Sequence, residues 1–365
     1  MILENINQKL DRWRYAPVTN SPSDEFISSP KVDKTRISLK SVAIYTVMGI
    51  TSLIIVLTSS VKLLSRTTIV PVCNNPVVRR EWRSLTEGEK AEFTQAIICL
   101  ANRPSQWQEN GTIYDDFAIL HGGIGSWWRL GNIGHRSASF LPWHRYTLFV
   151  FEKTMREQCG FQGQVPYWDW SLDWMDLAHS SIWDNVTGFG GDGDPAGPEI
   201  VGGGRCVVDG PFAGLRPILY NHTYVRHCIA RGFRDGDTVG RISGQSYRPE
   251  SIGAILRKQT YEELVKEIEA QLHNSMHQGI NGDFLAMTAA NDPLFYVHHA
   301  QLDRLWWQWQ RENPRVRLNE YHGKHMYNST GNATVEDMLM YGGLTEDVSV
   351  STVMNTQGGV LCYTY

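Results

Sequence analysis

The chain has 365 residues, 42% of them apolar and 11% aromatic, which excludes a disordered polymer and leaves room for one large core or two medium ones. A formal net charge of −4 and a pI near 6.3 offer no basic stripe to neutralise phosphates, which excludes nucleic acid as a partner.

Residues 1–40 are polar, contain "NSPSDEFISSP", and are expected to form a short cytosolic tail without a fold. Ser41 to Val61 carries no charge, lies between Lys40 and Lys62, and is long enough to cross the roughly 30 Å hydrocarbon core as a helix. No small-x-small cleavage pattern follows it, so it reads as a retained single-pass transmembrane signal anchor rather than a cleaved leader. Residues 62–72 are then a linker, and residues 73–365 form one domain without an internal repeat. The Lys and Arg balance around the anchor orients it only weakly. Two features decide it. All six cysteines (Cys73, Cys99, Cys159, Cys206, Cys228 and Cys362) follow the span, as suits pairing in an oxidising lumen. So do the sugar sequons at Asn110, Asn185, Asn221, Asn328 and Asn332. The expectation is a type II membrane glycoprotein whose large domain faces the secretory lumen or the exterior. Its cysteines have fifteen possible pairings.

Helix signals dominate residues 73–365 and strand signals are few, so the expected fold class is mainly α with long loops. Thr86 with Glu89 makes a capping box opening "EGEKAEFTQAIICL". The stretch Gly188 to Arg205 is rich in glycine but lacks the lysine and following helix of a phosphate loop, and reads as an irregular surface loop. A further helix is expected from Trp143 through Glu157. Thr260 with Glu263 opens another, whose apolar stripe runs Tyr261, Leu264, Val265, Ile268, Leu272 and Met276 and stops at Gly279. In "NDPLFYVHHAQLDRLWWQWQ", Asp292 is the expected N-cap and Pro293 the first helical residue.

Twelve histidines are present, and three spacings matter. His273 and His277 are four apart on an expected helix and share a face, a geometry that lets two imidazoles hold one metal. The sequence "HNSMH" puts Asn274 where a zinc protease needs its glutamate, so that chemistry is excluded. His121, His135 and His144 form a second group. The adjacent pair His298 and His299 cannot share a site, because neighbours on a helix point roughly 100° apart. His298 falls in line with Leu294, Leu302, Leu305 and Trp309, and is expected to pack in the core. His299 lines up with Phe295, Asp303 and Trp306, and is expected to be the ligand, with Asp303 one turn on as a hydrogen-bonding support. Two groups of three imidazoles suit borderline metals, copper above all. His179, His222, His227, His322 and His325 have no partners at such spacing and are expected at the surface.

These residues resemble a known family: the type 3 copper proteins, comprising tyrosinases, catechol oxidases and haemocyanins, and most closely the short fungal tyrosinase-like proteins. One signature is met by His135, Phe140, Trp143, His144, Arg145 and Glu152, the other by Asp292, Pro293, Phe295, His299 and Asp303. "PYWDW" and the terminal Tyr363 and Tyr365 look like the family too, and the resemblance covers essentially all of residues 73–365. It implies a four-helix bundle around two copper ions, one held by His121, His135 and His144, the other by His273, His277 and His299. O2 is the implied co-substrate. Many fungal members carry a cysteine two residues before the histidine that corresponds to His135, the second of the first copper's three, bonded to a neighbouring histidine as a thioether; here that position is Ile133, so no such crosslink is expected. Nor does the chain continue past its Tyr-x-Tyr end into a shielding domain, so activation by cleavage is not expected.

A phenol, with a pKa near 10, must lose its proton to react, and Glu269 and Asn274 stand near enough in sequence to position and polarise a water as base. In the resembling family such a pair accompanies monophenol hydroxylation. The expectation is therefore ortho-hydroxylation of a phenol followed by oxidation to the o-quinone, on free tyrosine, a small phenolic metabolite or a tyrosine within a peptide, in a fungal secondary-metabolite or peptide-toxin pathway. A catechol oxidase without hydroxylase activity, an O2 carrier and a non-catalytic glycoprotein are the alternatives.

Overall fold

A computed structural model describes residues 73–125, 134–326 and 329–365. The tail, the expected anchor and linker, Ile133 and the sequon residue Asn328 lie outside the described residues. Among the described residues, no helix is long and apolar enough to cross a membrane. Helices dominate, joined by long loops and a few short strands.

Helix α1, Glu87–Ala101, begins where the sequence placed it: the Thr86 hydroxyl accepts the Glu89 N–H at 3.2 Å, and the Glu89 carboxylate accepts the Thr86 N–H at 2.8 Å. Such a cap stabilises a helix by about 1 kcal/mol. Thr112 and Asp115 build the same box for α2, Ile113–Leu120, which runs into a π-helical turn at His121–Gly125. Helix α3, Phe140–Cys159, stops at Gly160, whose φ of 70° a glycine adopts without steric cost. Helix α4 is Pro249–Leu256. The long helix expected after Thr260 is divided: α5, Tyr261–Glu267, passes through a π-helical segment at Ile268–His273 into α6, Asn274–Ile280. Helix α7 is Leu294–Glu312. It starts one residue later than expected, but the cap is the expected one, since Asp292 Oδ1 accepts the Leu294 N–H at 3.0 Å.

Helices α3 and α7 lie against each other, with Phe151 stacked on Tyr296 at 3.5 Å between ring centroids. Three disulfides close the domain. Cys99–Cys159 ties α1 to the end of α3, Cys206–Cys228 braces a small sheet, and Cys73–Cys362 joins the two ends of residues 73–365. Beside that last bridge, Val77–Val78 pairs in parallel with Tyr363–Thr364.

The glycine-rich stretch is irregular and partly exposed through Pro198, as expected, but both of its ends are built into the fold. Glu199–Val201 and Gly204–Cys206 form an antiparallel hairpin, and the second strand pairs on with Ala230–Arg231. Phe189 is fully buried. The buried Arg231 guanidinium donates to the carbonyls of Phe189, Gly190 and Gly191, and grips Asp292 through two bonds of 2.7 and 2.9 Å. The glycines permit close backbone approach: a Cβ on Gly204 would lie 2.7 Å from the Cα of Gly282. Composition alone reads such glycines as loop; here they let the segment clamp the start of α7.

Candidate metal centre

Four structural units bring six histidines together. His121 opens the π turn after α2; His135 precedes α3 and His144 lies on its first turns. His273 ends the second π segment, His277 sits on α6 and His299 on α7. Both π segments therefore carry a site histidine, in keeping with the tendency of such turns to re-aim side chains at functional positions. Within each of the two groups, one ring nitrogen per histidine lies within 4.8 Å of the others. The groups face one another, with the His144 and His299 rings stacked at 4.1 Å and the His135 and His273 rings 5.5 Å apart.

Hydrogen bonds select the tautomer. A carbonyl oxygen can only accept, so each Nδ1 bonded to one carries the proton and its Nε2 carries the lone pair. His121 Nδ1 donates to Met287 O at 2.6 Å, His135 Nδ1 to Gly125 O at 3.0 Å, His144 Nδ1 to Phe140 O at 2.7 Å, and His277 Nδ1 to Phe284 O. His273 Nδ1 pairs with Asn274 Oδ1 at 3.0 Å. His299 is held instead by packing between Phe295, at 4.2 Å, and His144. The Nε2 atoms of His121, His144, His273, His277 and His299 are buried without a protein partner. Five such atoms at one place would each carry a desolvation penalty unless a ligand satisfied them. Burial pushes all six imidazoles below the ordinary histidine range, His135 and His277 down to about 4. They are neutral at pH 7, the state a metal ligand needs.

His298 sits where the helical argument put it. It is fully buried, and its Nδ1 accepts the Trp170 Nε1–H at 3.2 Å. Asp303 accepts its hydrogen bonds from residues other than His299. One of its oxygens accepts the Arg145 Nε–H; the other accepts the hydroxyls of Tyr363 at 2.5 Å and Tyr365 at 2.6 Å. With Arg79, which also bonds Glu152, it ties down the C-terminal Tyr-x-Tyr segment, and it makes no hydrogen bond to His299, whose ring nitrogens have no protein partner. His227 is a correction. It is buried, and donates from Nε2 to Asp283 at 2.9 Å and from Nδ1 to Val225 O at 2.7 Å, so it is doubly protonated beside a carboxylate. Asp283, ten residues past His273, is the partner no helical spacing links to it. His179 and His222 are exposed, and His322 and His325 keep over two-fifths of their side chains in water, as expected of surface residues.

Glu269 is 8% exposed, and burial pushes its carboxyl up to about 7; its Oε1 accepts the N–H of Arg136, the residue after His135. Arg136 has a φ of 54°, so Glu269 pins a left-handed backbone residue beside a candidate ligand. Asn274 is exposed, with its oxygen turned to His273.

A family model described as the common central domain of tyrosinase matches residues 111–312, which contain all six histidines. This chain is a member of the tyrosinase family. It is 69% identical to "Tyrosinase ustQ" of Aspergillus flavus over 368 residues, the full length of both, and 63% identical to "Tyrosinase-like protein phomQ2" of Diaporthe leptostromiformis over 294 residues, or 80% of this chain and 74% of that one. Its fold resembles that of a polyphenol oxidase from Thermothelomyces thermophila with a TM-score of 0.67 at 24% identity, over 84% of this chain and 93% of the other. As a tyrosinase-family oxidoreductase it uses copper and O2, and the two histidine triads, with their orphaned buried nitrogens, fit a pair of copper ions.

Proposed function

We propose that this tyrosinase-family member hydroxylates a phenol ortho to its hydroxyl and oxidises the resulting o-diphenol to the o-quinone, consuming one O2 and releasing one water per phenol. The observation that carries the reading is the set of six neutral imidazoles whose ring nitrogens converge in two groups of three, five of them offering a buried Nε2 without a protein partner. In this reading His121, His135 and His144 hold one copper and His273, His277 and His299 the other. The helices that carry them, α2, α3, α5–α6 and α7, then stand around the pair as a four-helix bundle. When bound, the copper pair supplies the electron transfer to O2.

The chain's own residues supply position and a proton acceptor. Glu269, with its carboxyl at about 7, is partly ionised at neutral pH and takes the phenol proton, directly or through one water. Asn274 holds the His273 imidazole through its oxygen, and its amide N–H groups position and polarise that water beside Glu269. Asp303 acts on the fold of the C-terminal segment rather than on a ligand. The substrate is tyrosine, a small phenolic metabolite or a tyrosine in a peptide, within a fungal secondary-metabolite or peptide-toxin pathway. Fungal relatives support this breadth, among them a protein named N-acetyl-6-hydroxytryptophan oxidase, 29% identical over 358 residues.

In the same reading, residues 1–40 are a cytosolic tail, 41–61 a type II anchor, 62–72 a linker and 73–365 a lumenal copper domain. Three disulfides within the last segment support an oxidising compartment. Asn110, Asn185 and Asn332 are exposed, as glycan acceptors must be.

The test is to load the full chain with copper and follow O2 uptake with tyrosine, catechol and a tyrosyl peptide. Oxidation of a monophenol is the expected result. Turnover of catechol alone would reduce the protein to a catechol oxidase; reversible O2 binding with no turnover would make it an O2 carrier.

A further inference from the structure

The sequon Asn221-His222-Thr223 reads in sequence as a glycan acceptor. We propose instead that Asn221 is closed to glycosylation and acts as a positioning residue for His121. This inference rests on His121 being a copper ligand and adds to it how that ligand is aimed.

Leu219–Tyr220 and Thr223–Tyr224 pair as an antiparallel hairpin with Leu219 opposite Tyr224 and Tyr220 opposite Thr223, leaving a two-residue turn. Such turns demand positive φ, which asparagine tolerates better than other side-chain-bearing residues; Asn221 has a φ of 50°. The turn is aimed at the loop before α7. Asn221 Oδ1 accepts the Met287 N–H at 2.9 Å, and the Asn221 N–H donates to Thr288 Oγ1 at 3.1 Å.

These bonds bracket one peptide plane. Met287 is held at its nitrogen and Thr288 at its side chain, and the carbonyl between them is Met287 O, the acceptor of His121 Nδ1–H at 2.6 Å. His121 stands at the head of a π turn, where the regular helical ladder that orients side chains is interrupted. Its ring orientation therefore depends on this acceptor, and the acceptor on Asn221. Thr288 is fully buried, and a Cβ placed on Gly122 would lie 3.2 Å from its methyl group, so the loop is seated directly against the π turn. Asn221 is half-buried with its carboxamide oxygen turned to Met287, so a glycan on its nitrogen would have to sit against this same loop.

Three variants of the full chain, produced in a secreting host, separate a positioning role from a sugar site. Asn221→Gly keeps the positive φ and removes the carboxamide. Asn221→Asp keeps the acceptor oxygen but not the sequon. Thr223→Ala destroys the sequon and keeps the amide. Copper content is read by chelator competition on the isolated protein, independently of turnover, with His121→Ala as the reference. Asn221→Gly is expected to weaken one of the two coppers by about 10–100-fold, the usual effect of losing a support behind a metal ligand. Asn221→Asp and Thr223→Ala are expected to retain both, and peptide mass spectrometry of the parent protein to find Asn221 bare. Parent-like copper affinity in Asn221→Gly, copper loss in Thr223→Ala, or a glycan on Asn221 would each overturn the proposal. Should Asn221→Gly not fold, Thr288→Val, which removes the hydroxyl that accepts the Asn221 N–H while keeping its volume, is read the same way: weakened copper supports the positioning role and parent-like copper overturns it. If His121→Ala itself retains both coppers, it is the ligand assignment that falls.

Discussion

Replacing Glu269 by glutamine should make the metal-free protein more stable above neutral pH and leave it unchanged in acid. Burial raises the Glu269 carboxyl from 4.5 to about 7, with the Arg136 N–H opposing only part of that cost. A folded-state pKa above the unfolded one means that the neutral acid is favoured by folding. Its contribution is present in full below pH 4.5, is lost as pH climbs through about 7, and is constant above. At ~1.4 kcal/mol per unit, the rise amounts to about 3 kcal/mol. Little of it is screened, because only 8% of the residue is exposed. Glutamine carries no charge and can accept the same Arg136 N–H, so its stability curve lacks this term. Denaturant unfolding of the metal-free, disulfide-intact parent and Glu269→Gln proteins from pH 4 to pH 8 isolates the effect, since all other groups cancel in the difference. The two should coincide at the acid end and diverge to about 3 kcal/mol in favour of the variant at pH 8. Parallel curves would refute both the burial argument and the view that an ionised carboxylate is held there for use. The same substitution should abolish monophenol hydroxylation while sparing catechol oxidation, because a catechol gives up its protons more readily; unchanged hydroxylation would remove Glu269 from the reaction.

Two further substitution sets follow from the buried pairs. His299→Ala should eliminate one copper, whereas His298→Ala should lose the Trp170 bond and about 1–3 kcal/mol of stability while keeping copper; equal copper loss in a folded His298→Ala protein would reverse the assignment. His227 is raised above the usual histidine range by its bond to Asp283 against the opposing cost of burial, so its stabilising effect is complete below pH 6.5 and fades as pH rises through the folded value. Asp283→Asn should flatten that dependence and cost about 3–5 kcal/mol at pH 6, measured by unfolding; a variant as stable as the parent would show the pair to be incidental.

The six converging histidines were legible because each lies on, or next to, a periodic helix whose face can be read from spacing, and because the signatures around them are dense. The choice of His299 over its neighbour needed only the angle between adjacent helix positions. What lay beyond reach depends on backbone geometry. Four of the carbonyls that fix tautomers belong to Gly125, Phe140, Phe284 and Met287, and no residue type announces that its carbonyl will face an imidazole. The π segment at His273, IEAQLH, is equally silent, since its composition is that of the flanking α-helices, and the glycines of HGGIG at His121 announce only that the regular helix ends there.

Asp303 and Asn221 show the same limit from opposite sides. A carboxylate one turn from a ligand is a natural support, yet in this fold its two oxygens are claimed by Arg145 and by two tyrosines from the chain's last residues. An asparagine in a sequon is a natural sugar site, yet here it reaches 66 residues along the chain to hold Met287, whose carbonyl meets a histidine 166 residues away. Local spacing assigns a side chain its direction; long-range closure assigns its partner. Residues whose chemistry is exhausted by direction, such as a metal ligand, can be read early. Residues whose role is a hydrogen bond to a distant backbone atom become legible only when the hairpins and loops between the helices are in place.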